Sequence, residues 1–343
     1  MDTKSQPLDY LCVDRFMVDF VSARALTSAL EIGLIDDLLQ FPSCSFDKLN
    51  SRLKIEPRGL SLLIGLLRTS RVINQQNDSL MLTKAFIDAL QYRDLLEAKL
   101  YFANLVAPDF INLFTALITN PRQFFEQAKI FELFSYQRCF QANDQNYSLT
   151  ARWMQITTAL TKYEALVCMS YYDFSRHRHQ LDFGGNSGEF ALRICKANPN
   201  LHAIVYDLPL VCDIGVQHIG TEPEAARIGF FKVNGSEQNI PQGFDLITFK
   251  SMLHDWPDHE MEAFLAKAYD SLDVGGTLLI FERGQMEIVD ALPDYSIIPF
   301  LLFFRSYRLP EHYKACLENL GFNDIEIIEI QLETLFILIT ARK

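Results

Sequence analysis

The sequence predicts an α/β protein in which a mostly parallel, Rossmann-like sheet forms the carboxyl-terminal half and helices form the amino-terminal part. Beyond residue 178, short apolar runs alternate with helical stretches, which is typical of parallel strands connected by helices. Before residue 100, apolar residues recur instead at the spacing of a helix. The predicted parallel strands are HQLDF (179–183), HAIVYD (202–207), ARIGFFKV (226–233), FDLITFKSML (244–253) and GTLLIFE (276–282).

Two more strands are predicted near the end of the chain. The runs DIEIIEI (324–330) and LFILITA (335–341) are separated by only a few residues. Such a short connection joins antiparallel neighbours, whereas parallel strands need a long crossover. We therefore expect a seven-stranded sheet of five parallel strands with an antiparallel hairpin at or near one edge.

Residues 1–100 are predicted to form a separate helical domain. Five apolar residues at helical spacing indicate its first helix: Ala25, Leu26, Ala29, Leu30 and Ile32. The segment 45–90 then predicts a helix, a turn, a second helix and a short hairpin that turns at Gln76, Asn77 and Asp78. This order is the outline of a winged helix, and we expect it to pack against another subunit.

A winged helix often binds DNA, but the charge of this chain argues against that use. The chain has 31 basic and 43 acidic residues and a net charge of −12. A field of that sign repels phosphate backbones and anionic lipids. The arginines near the second helix are Arg58, Arg68 and Arg71. Neither nucleic acid nor a membrane surface is therefore an expected partner.

The cysteines and the apolar runs of the sequence indicate the cellular compartment of the protein. Seven cysteines are scattered without a C-x-x-C pair, which argues against a disulfide framework and against a zinc site. The amino terminus MDTKSQPLDY lacks the pattern of a signal peptide. The most apolar run, IIPFLLFF (297–304), is far shorter than the ~20 residues that span a bilayer. We expect a soluble, cytoplasmic protein without a metal.

The predicted second domain comprises residues 101–343 and has two parts. Residues 101–175 continue as aromatic-rich helices, which we expect to form core and the wall of a pocket. Residues 176–343 form the Rossmann-like core. In such sheets ligands bind outside the carboxyl ends of the strands, near the point where the strand order reverses.

The first predicted strand ends in the segment LDFGGNSGEF. Asp182 closes this strand, and Gly184, Gly185 and Gly188 allow a tight turn and a close backbone approach. Asp207 closes the next strand about 25 residues later. An acidic residue roughly 20 positions after a glycine-rich turn commonly binds ribose hydroxyls, so the pattern predicts a nucleoside-containing cofactor. By itself the glycine turn has an equally good structural explanation.

The acidic residue before the turn discriminates between nucleoside cofactors. A pyrophosphate beside Asp182 would be repelled, whereas a cofactor with an ammonium and a sulfonium would be attracted. The sequence therefore favours S-adenosylmethionine, with S-adenosylhomocysteine as its product.

Five motifs in the same order resemble one family. They are ALEIGLIDDLL followed by EPRGLSLLIGLLRTSRVI, then YDFSRHRHQLDFGGNSGEF, VYDLP, FKSMLHDWPD and GGTLLIFE. Together they resemble the small-molecule O-methyltransferases of the plant caffeate and bacterial hydroxyneurosporene type, over nearly the whole chain. The resemblance implies a class I methyltransferase fold with an all-helical, winged-helix-like dimerisation domain.

The same resemblance implies a homodimer that transfers the methyl group of S-adenosylmethionine to a hydroxyl of a small aromatic or polyketide-like metabolite. An enzyme that methylates carbon or nitrogen, or that binds this cofactor without transferring methyl, is the alternative on the same fold. A winged-helix regulator that senses a ligand is a different class, which the negative charge disfavours.

The resemblance also implies which residues bind the cofactor. Gly184 and Gly185 would hold its methionyl part, and Asp207 would hold its ribose. Lys250 matches a lysine that lies near the cofactor in some members, and Asn234 stands where the family usually has an aspartate facing adenine. The complete predicted set is Asp182, Gly184, Gly185, Asp207, Leu208, Asn234, Gly235 and Lys250.

His254 is the predicted general base. A hydroxyl acceptor must lose a proton as it attacks the sulfonium, and a phenol with a pKa of about 10 is mostly protonated at neutral pH, whereas a histidine near 6.5 is mostly free. Glu282 ends the next predicted strand and could orient the ring and stabilise the imidazolium. Asp255 is a second possible partner, or a cap for the helix opening at Pro257. Trp256 is expected to pack.

Two positions depart from the family's pattern. Asn186 replaces the third glycine of the turn, in a position that tolerates left-handed backbone. Tyr307 stands where the family commonly has a second glutamate, so His254 is expected to be held by one carboxylate rather than two. Soft and aromatic side chains suit a flat acceptor, and the predicted acceptor-binding residues are Trp153, Met154, Met169, Met252, Phe303 and Tyr307.

Overall fold

The computed structural model describes residues 6–233, 240–288 and 292–343. The chain forms two compact units, made of Met1–Phe124 with Ile288–Leu301 and of Phe125–Glu287 with Leu302–Lys343. The domain boundary that we predicted at residue 100 lies inside a helix, Arg93–Thr119, which belongs wholly to the first unit. The first unit continues beyond the end of this helix to Phe124.

The elements are numbered in chain order over the described residues. The α-helices are α1 (Phe20–Glu31), α2 (Leu34–Gln40), α3 (Phe46–Leu53), α4 (Pro57–Thr69), α5 (Lys84–Ala89), α6 (Arg93–Thr119), α7 (Pro121–Gln127), α8 (Asp144–Tyr171), α9 (Glu189–Ala197), α10 (Pro209–Ile219), α11 (Asp258–Ser271), α12 (Ile298–Leu301) and α13 (Pro310–Leu320). The β-strands are β1 (Cys44–Ser45), β2 (Ile73–Gln76), β3 (Ser79–Leu82), β4 (His179–Phe183), β5 (His202–Asp207), β6 (Ile228–Lys232), β7 (Phe244–Lys250), β8 (Leu272–Arg283), β9 (Asn323–Gln331) and β10 (Leu335–Arg342).

The first unit is helical with a small antiparallel sheet in the order β1-β3-β2. The predicted order of helix, turn, helix and hairpin is present as α3, α4, β2 and β3. The hairpin turns at Asn77, whose φ of 53° is a left-handed conformation that asparagine tolerates. Strand β1 was not predicted, because two residues carry no periodicity. The expected all-helical domain is therefore corrected to a helical domain with a small sheet.

One helical stretch of the described residues, Lys84–Thr119, is long and apolar enough to cross a membrane by length and composition, with a mean hydropathy of 1.4 over an 18-residue window. This is weak evidence, because a core helix of a soluble protein passes the same test. Within the unit, Lys99 on this stretch pairs with Asp14 at 2.9 Å, and the Tyr295 hydroxyl donates to the carbonyl of Ala103 at 3.3 Å. The expected absence of a membrane partner stays a prediction.

The second unit is built on a seven-stranded sheet in the order β6-β5-β4-β7-β8-β10-β9. The first five strands of this order are parallel, and β10 pairs antiparallel with both β8 and β9. This confirms the predicted sheet and its terminal hairpin. The strand order reverses between β4 and β7, and the register places Asp182 of β4 beside Val205 of β5 and Thr248 of β7.

Strand β7 ends at Lys250, earlier than the predicted run 244–253. The reason is Ser251, whose φ of 49° interrupts the extended backbone. The chain then forms a short 3-10 turn over Leu253–Asp255. His254 therefore lies on a tight turn at the carboxyl edge of the sheet.

Candidate active site

The connection from β4 to α9 is a tight turn built on glycine. Gly184 has a φ of 66° and Asn186 one of 54°, which confirms left-handed backbone at the position of the replaced glycine. A Cβ at Gly184 would lie 2.5 Å from Cγ of Met252, and a Cβ at Gly185 would lie 2.5 Å from Oδ2 of Asp182. Both glycines are needed because neighbouring side chains occupy the space of a Cβ.

Asp182 is fully buried beneath this turn. Its Oδ1 accepts a hydrogen bond from the Thr248 hydroxyl at 2.7 Å, while its Oδ2 has no hydrogen-bond partner among the described residues. Burial raises the pKa of the Asp182 carboxyl to about 7, although the Thr248 hydroxyl opposes the rise. A buried carboxylate with a free oxygen is the kind of group that a positively charged ligand would stabilise.

Asp207 closes β5 beside the turn. Its Oδ2 accepts from the backbone N–H of Asn186 at 2.8 Å and its Oδ1 accepts from that of Leu208 at 2.7 Å. Burial raises the pKa of Asp207 to about 6, and these two hydrogen bonds oppose the rise. Asp182 and Asp207 thus stand at one edge of the sheet, where the sequence predicted them, with the glycine turn and Leu208.

Lys250 ends β7, but its ammonium group is directed at helix α8. It donates to the Thr161 hydroxyl at 3.0 Å and pairs with the buried carboxylate of Glu164. Arg283 donates to the same carboxylate at 2.7 Å and to Glu333 at 3.0 Å. Burial would raise the pKa of Glu164, but Lys250 and Arg283 lower it to about 2. These ion pairs fasten α8 to the ends of β7 and β8.

Two residues of the predicted cofactor set, Asn234 and Gly235, lie outside the described residues.

The turn after β7 is held by Glu282 at the end of β8. One oxygen of this fully buried carboxylate accepts from the backbone N–H groups of Met252 at 2.6 Å and Leu253 at 2.8 Å. The other oxygen lies 2.5 Å from Nδ1 of His254. The predicted pairing of His254 with Glu282 is therefore present. Because a carboxylate accepts hydrogen bonds, Nδ1 of the neutral ring carries the proton and donates the hydrogen bond. The unprotonated nitrogen, which can accept a proton, is then Nε2.

Asp255 stands on the other side of the imidazole. Its Oδ1 lies 3.4 Å from Nε2 of His254, and its Oδ2 accepts from the hydroxyl of Tyr136 at 2.6 Å. Burial by itself lowers the pKa of His254, but the carboxylates of Glu282 and Asp255 outweigh it, so the pKa is raised above the ordinary value. The His254 side chain is 11% exposed. Carboxylates thus flank both ring nitrogens, and the second of them is Asp255, which the sequence left open as a partner of the histidine or a helix cap.

Arg308 fastens the same turn from the segment before α13. Its guanidinium donates to the carbonyl of Leu253 at 2.9 Å, to the carbonyl of Trp256 at 2.6 Å and to the carboxylate of Asp258 at 2.8 Å. A planar guanidinium can donate several bonds in fixed directions, which a lysine cannot. Arg308 was not predicted, although it lies beside Tyr307 in FFRSYRLPEHY.

Aromatic side chains surround the histidine. The ring of Tyr307 is centred 5.3 Å from the His254 ring, and burial raises its pKa. Tyr136 stacks on Trp256 with centroids 5.7 Å apart and is tilted against Trp153 at 5.6 Å. Trp256 packs as predicted. Tyr136 was not predicted, because it lies far from His254 in sequence and no motif marks it.

The remaining predicted acceptor residues are less closely grouped. Met252 lies under Gly184, and Phe303 packs edge-on against Phe134 with centroids 5.4 Å apart. Met154 and Met169 both lie on α8, and at ~1.5 Å per residue they are roughly 22 Å apart. These two methionines therefore cannot both contact one small acceptor.

The described residues contain no group of three or more His, Cys, Asp or Glu side chains that could hold a metal ion.

The strand order, the glycine turn and the acidic residue at the end of β5 define the class I methyltransferase fold. The solved structure of human N-acetylserotonin methyltransferase in complex with SAM shares it, with a TM-score of 0.71 and 18% sequence identity over 94% of this chain and 93% of that one. At this identity the likeness shows the fold alone.

The chain belongs to the family defined by the O-methyltransferase domain, whose family model matches residues 113–323. It is 33% identical over 110 residues to 3-hydroxy-5-methyl-1-naphthoate 3-O-methyltransferase of Streptomyces sahachiroi, which is 32% of each chain. It is 28% identical over 179 residues to acetylserotonin O-methyltransferase of Bos taurus, which is 51% of each chain. The matches thus span about half or less of these relatives. The family predicted from the motifs is confirmed.

Proposed function

We propose that this protein transfers the methyl group of S-adenosylmethionine to a hydroxyl of a small aromatic or polyketide-like acceptor, with His254 as the general base. The observation that carries the proposal is the arrangement at one sheet edge. The buried acids Asp182 and Asp207, with the glycine turn, end β4 and β5. The hydrogen-bonded pair of His254 and Glu282 lies at the ends of β7 and β8.

The acids and the turn fit S-adenosylmethionine. Asp182 and Asp207 are buried carboxyls whose pKa values are raised to about 7 and about 6, so a cationic ligand would favour their ionised forms and a pyrophosphate would not. Gly184 and Gly185 make the tight turn over Asp182 possible, because a Cβ at either position would collide with Met252 or Asp182. When bound, this cofactor supplies a methyl group on a positively charged sulfur. Asp207 would accept from the ribose hydroxyls with its remaining lone pairs.

His254 would take the proton of the acceptor hydroxyl. Its Nδ1 donates to Glu282, which leaves Nε2 to accept, and the carboxylate stabilises the imidazolium that forms. A positioned base contributes typically ~10² to ~10⁴ in rate. The ring of Tyr307 beside the histidine and the contacting rings of Tyr136 and Trp153 suit a flat acceptor.

The test combines binding with turnover. Calorimetry should show heat with S-adenosylmethionine and with S-adenosylhomocysteine, and a panel of phenols and hydroxyquinones should accept label from methyl-labelled cofactor. His254→Ala should lower turnover by about 10² or more while the affinity for S-adenosylhomocysteine stays near that of the wild type. His259→Ala is the matched control, because its side chain lies a few residues away and is 79% exposed.

No heat with either compound would end the cofactor assignment. Full turnover by His254→Ala would remove the proposed base.

A second candidate is methyl transfer to nitrogen or carbon. It is favoured by the carboxylates on both nitrogens of His254, which together raise the pKa of the ring and make it less available as a base at neutral pH. An amine acceptor that loses its proton to solvent would not need the ring as a base. Amines in the same panel distinguish the two reactions, because His254→Ala would retain most of its turnover on an amine. A carbon acid must still lose a proton, so methyl transfer to carbon would be recognised by its product rather than by the variant.

We further propose a cytoplasmic homodimer that binds neither nucleic acid nor membranes. The free thiols of the seven cysteines suit a reducing compartment. The acidic net charge of −12 disfavours phosphate backbones and anionic lipid. Large apolar side chains of the first unit are exposed, among them Phe20 and Ile111, and they suit contact with a second copy.

A further inference from the structure

The carboxylate of Asp255 is oriented by a tyrosine that lies far from it in sequence. Its Oδ2 accepts from the Tyr136 hydroxyl at 2.6 Å, which is a short hydrogen bond to a carboxylate. Its Oδ1 lies 3.4 Å from Nε2 of His254, which is longer than a strong charged hydrogen bond. The bond from Tyr136 is therefore the contact that decides where the carboxylate points.

The ring of Tyr136 is itself fixed. It is stacked on Trp256, with centroids 5.7 Å apart and planes 21° apart, and it is tilted against Trp153 at 5.6 Å. Burial and the neighbouring Asp255 raise the pKa of Tyr136 well above its ordinary value, so its hydroxyl keeps its proton and can donate. Among the described residues, the contacts of the Asp255 carboxylate are the hydrogen bond from Tyr136 and the approach to His254, so the side chain can rotate once the tyrosine donor is removed.

We propose that Tyr136 is a positioning residue that holds Asp255 against the acceptor-facing nitrogen of His254, so that Asp255 serves as the second carboxylate of the site. The position where a second glutamate is expected carries Tyr307, which has no carboxylate. Glu282 binds Nδ1 from the end of β8, and Asp255 approaches Nε2 from the histidine's own turn. This proposal rests on the proposed role of His254 as the base. It assigns to Asp255 an effect on the pKa of that histidine.

The charges around the histidine give the direction of the effect. Glu282 and Asp255 stabilise the protonated ring, Arg283 opposes it, and Tyr307 is buried beside it and neutral. Loss of the Tyr136 hydroxyl would let Asp255 turn away from Nε2. His254 would then keep one carboxylate instead of two, and its pKa would fall.

The test follows the titration of the His254 ring by NMR, with the signal assigned by its loss in His254→Gln. The pKa of His254 should fall in Tyr136→Phe, fall further in Asp255→Asn, and be the same in the double variant as in Asp255→Asn alone. Tyr147→Phe is the matched control, because it removes a tyrosine hydroxyl that donates to Gln217 at 2.6 Å, and it should leave the titration unchanged.

Turnover gives a second readout. The base must be unprotonated, so kcat/KM falls as the pH drops through the pKa of His254. The acidic limb of the profile should therefore move to lower pH in Tyr136→Phe and not in Tyr147→Phe.

A wild-type titration in Tyr136→Phe would overturn the role of Tyr136, and a wild-type titration in Asp255→Asn would overturn that of Asp255. The NMR experiment needs no cofactor or acceptor. If Tyr136→Phe shifts the titration of His254 and the wild-type protein binds no S-adenosylmethionine, the proposed function is rejected. The role of Tyr136 in positioning Asp255 is then retained.

Discussion

At the scale of single residues, burying the carboxyl group of Asp182 has an unfavourable free energy that the folded protein does not fully offset. The carboxyl group is fully buried, and its Oδ2 has no partner among the described residues. Leaving one buried polar atom unsatisfied costs about 1–3 kcal/mol. A cationic ligand that pairs with this oxygen would offset the cost. Asp182 would therefore lower the stability of the free protein and increase the affinity for the ligand.

Replacing Asp182 by Asn should separate these two effects. The amide keeps the acceptor for Thr248 at Oδ1 and removes the buried charge, but it places an amide nitrogen where Oδ2 has no partner among the described residues, so Tm should stay close to that of the wild type. The Kd for S-adenosylmethionine should rise by about tenfold or more, which is roughly 1.4 kcal/mol. Calorimetry and thermal unfolding measure the two quantities.

The pH dependence has a definite sign. A cationic ligand favours ionised Asp182, whose pKa without ligand is raised to about 7. The wild-type affinity should therefore weaken as the pH falls below about 7, and this dependence should be reduced in Asp182→Asn. Asp213→Asn, in an exposed pair with Lys232, is the control. Equal affinity in Asp182→Asn and the wild type would contradict the assignment of Asp182.

At the scale of elements, the turn between β7 and α11 is fastened from two sides. Glu282 binds the backbone N–H groups of Met252 and Leu253. Arg308 binds the carbonyls of Leu253 and Trp256. The backbone that carries His254 therefore has few unsupported polar groups, and the ring keeps one position relative to the sheet edge.

Arg308→Met keeps the apolar stem and removes the donors to this turn. We expect unfolding to become easier by about 1.5–3 kcal/mol for the lost charged hydrogen bonds, and turnover to fall by roughly tenfold or more because a displaced base misses the acceptor. The affinity for S-adenosylhomocysteine should change little, since the glycine turn is untouched. Denaturant unfolding and steady-state kinetics measure both effects.

Arg227→Met is the matched control for Arg308. Arg227 donates to the carbonyls of Cys195, Asn198 and Leu201, which lie where α9 leads into β5, at the opposite edge of the sheet. It should cost similar stability without loss of turnover at temperatures where the protein is folded. Equal loss of turnover in both variants would show that Arg308 acts through stability alone.

At the scale of the whole molecule, the first unit exposes apolar side chains that a monomer would leave in water. Ile111, Phe114 and Ile118 lie at spacings of three and four on α6, so they share one face. Their exposed fractions are 68%, 47% and 52%. Exposed apolar patches of this kind mark protein interfaces, which supports the proposed homodimer.

Light scattering should therefore report twice the chain mass of 39.4 kDa. The double variant Ile111→Glu with Ile118→Glu should shift the protein toward monomer, because two buried charges without partners are costly in an interface. Val274→Glu is the control, since Val274 is 94% exposed in the second unit. A wild-type protein that stays monomeric at high concentration would contradict the dimer.

Much of the fold could be predicted because its signals are local. Apolar runs such as 179–183 and 202–207 predicted strands β4 and β5 at their observed bounds. The two-residue strand β1 and the early end of β7 at Ser251 were not predicted. Each depends on contacts or backbone angles that produce no periodic pattern in the sequence.

The sequence by itself determined the strands of the seven-stranded sheet apart from the end of β7, the glycine turn between Asp182 and Asp207, and the candidacy of His254 with Glu282. The two sites follow from residues at the ends of predicted strands. Only the tertiary structure decided that Tyr136 holds Asp255, that Arg308 fastens the turn of the histidine, and that Lys250 pairs with Glu164. Those contacts join residues from about 50 to about 120 positions apart. They form where α8, the 3-10 segment Tyr136–Phe140 and the segment before α13 meet the ends of the strands. The spacing of residues along the chain does not predict such long-range contacts, because a side chain's partners depend on the path of the whole backbone.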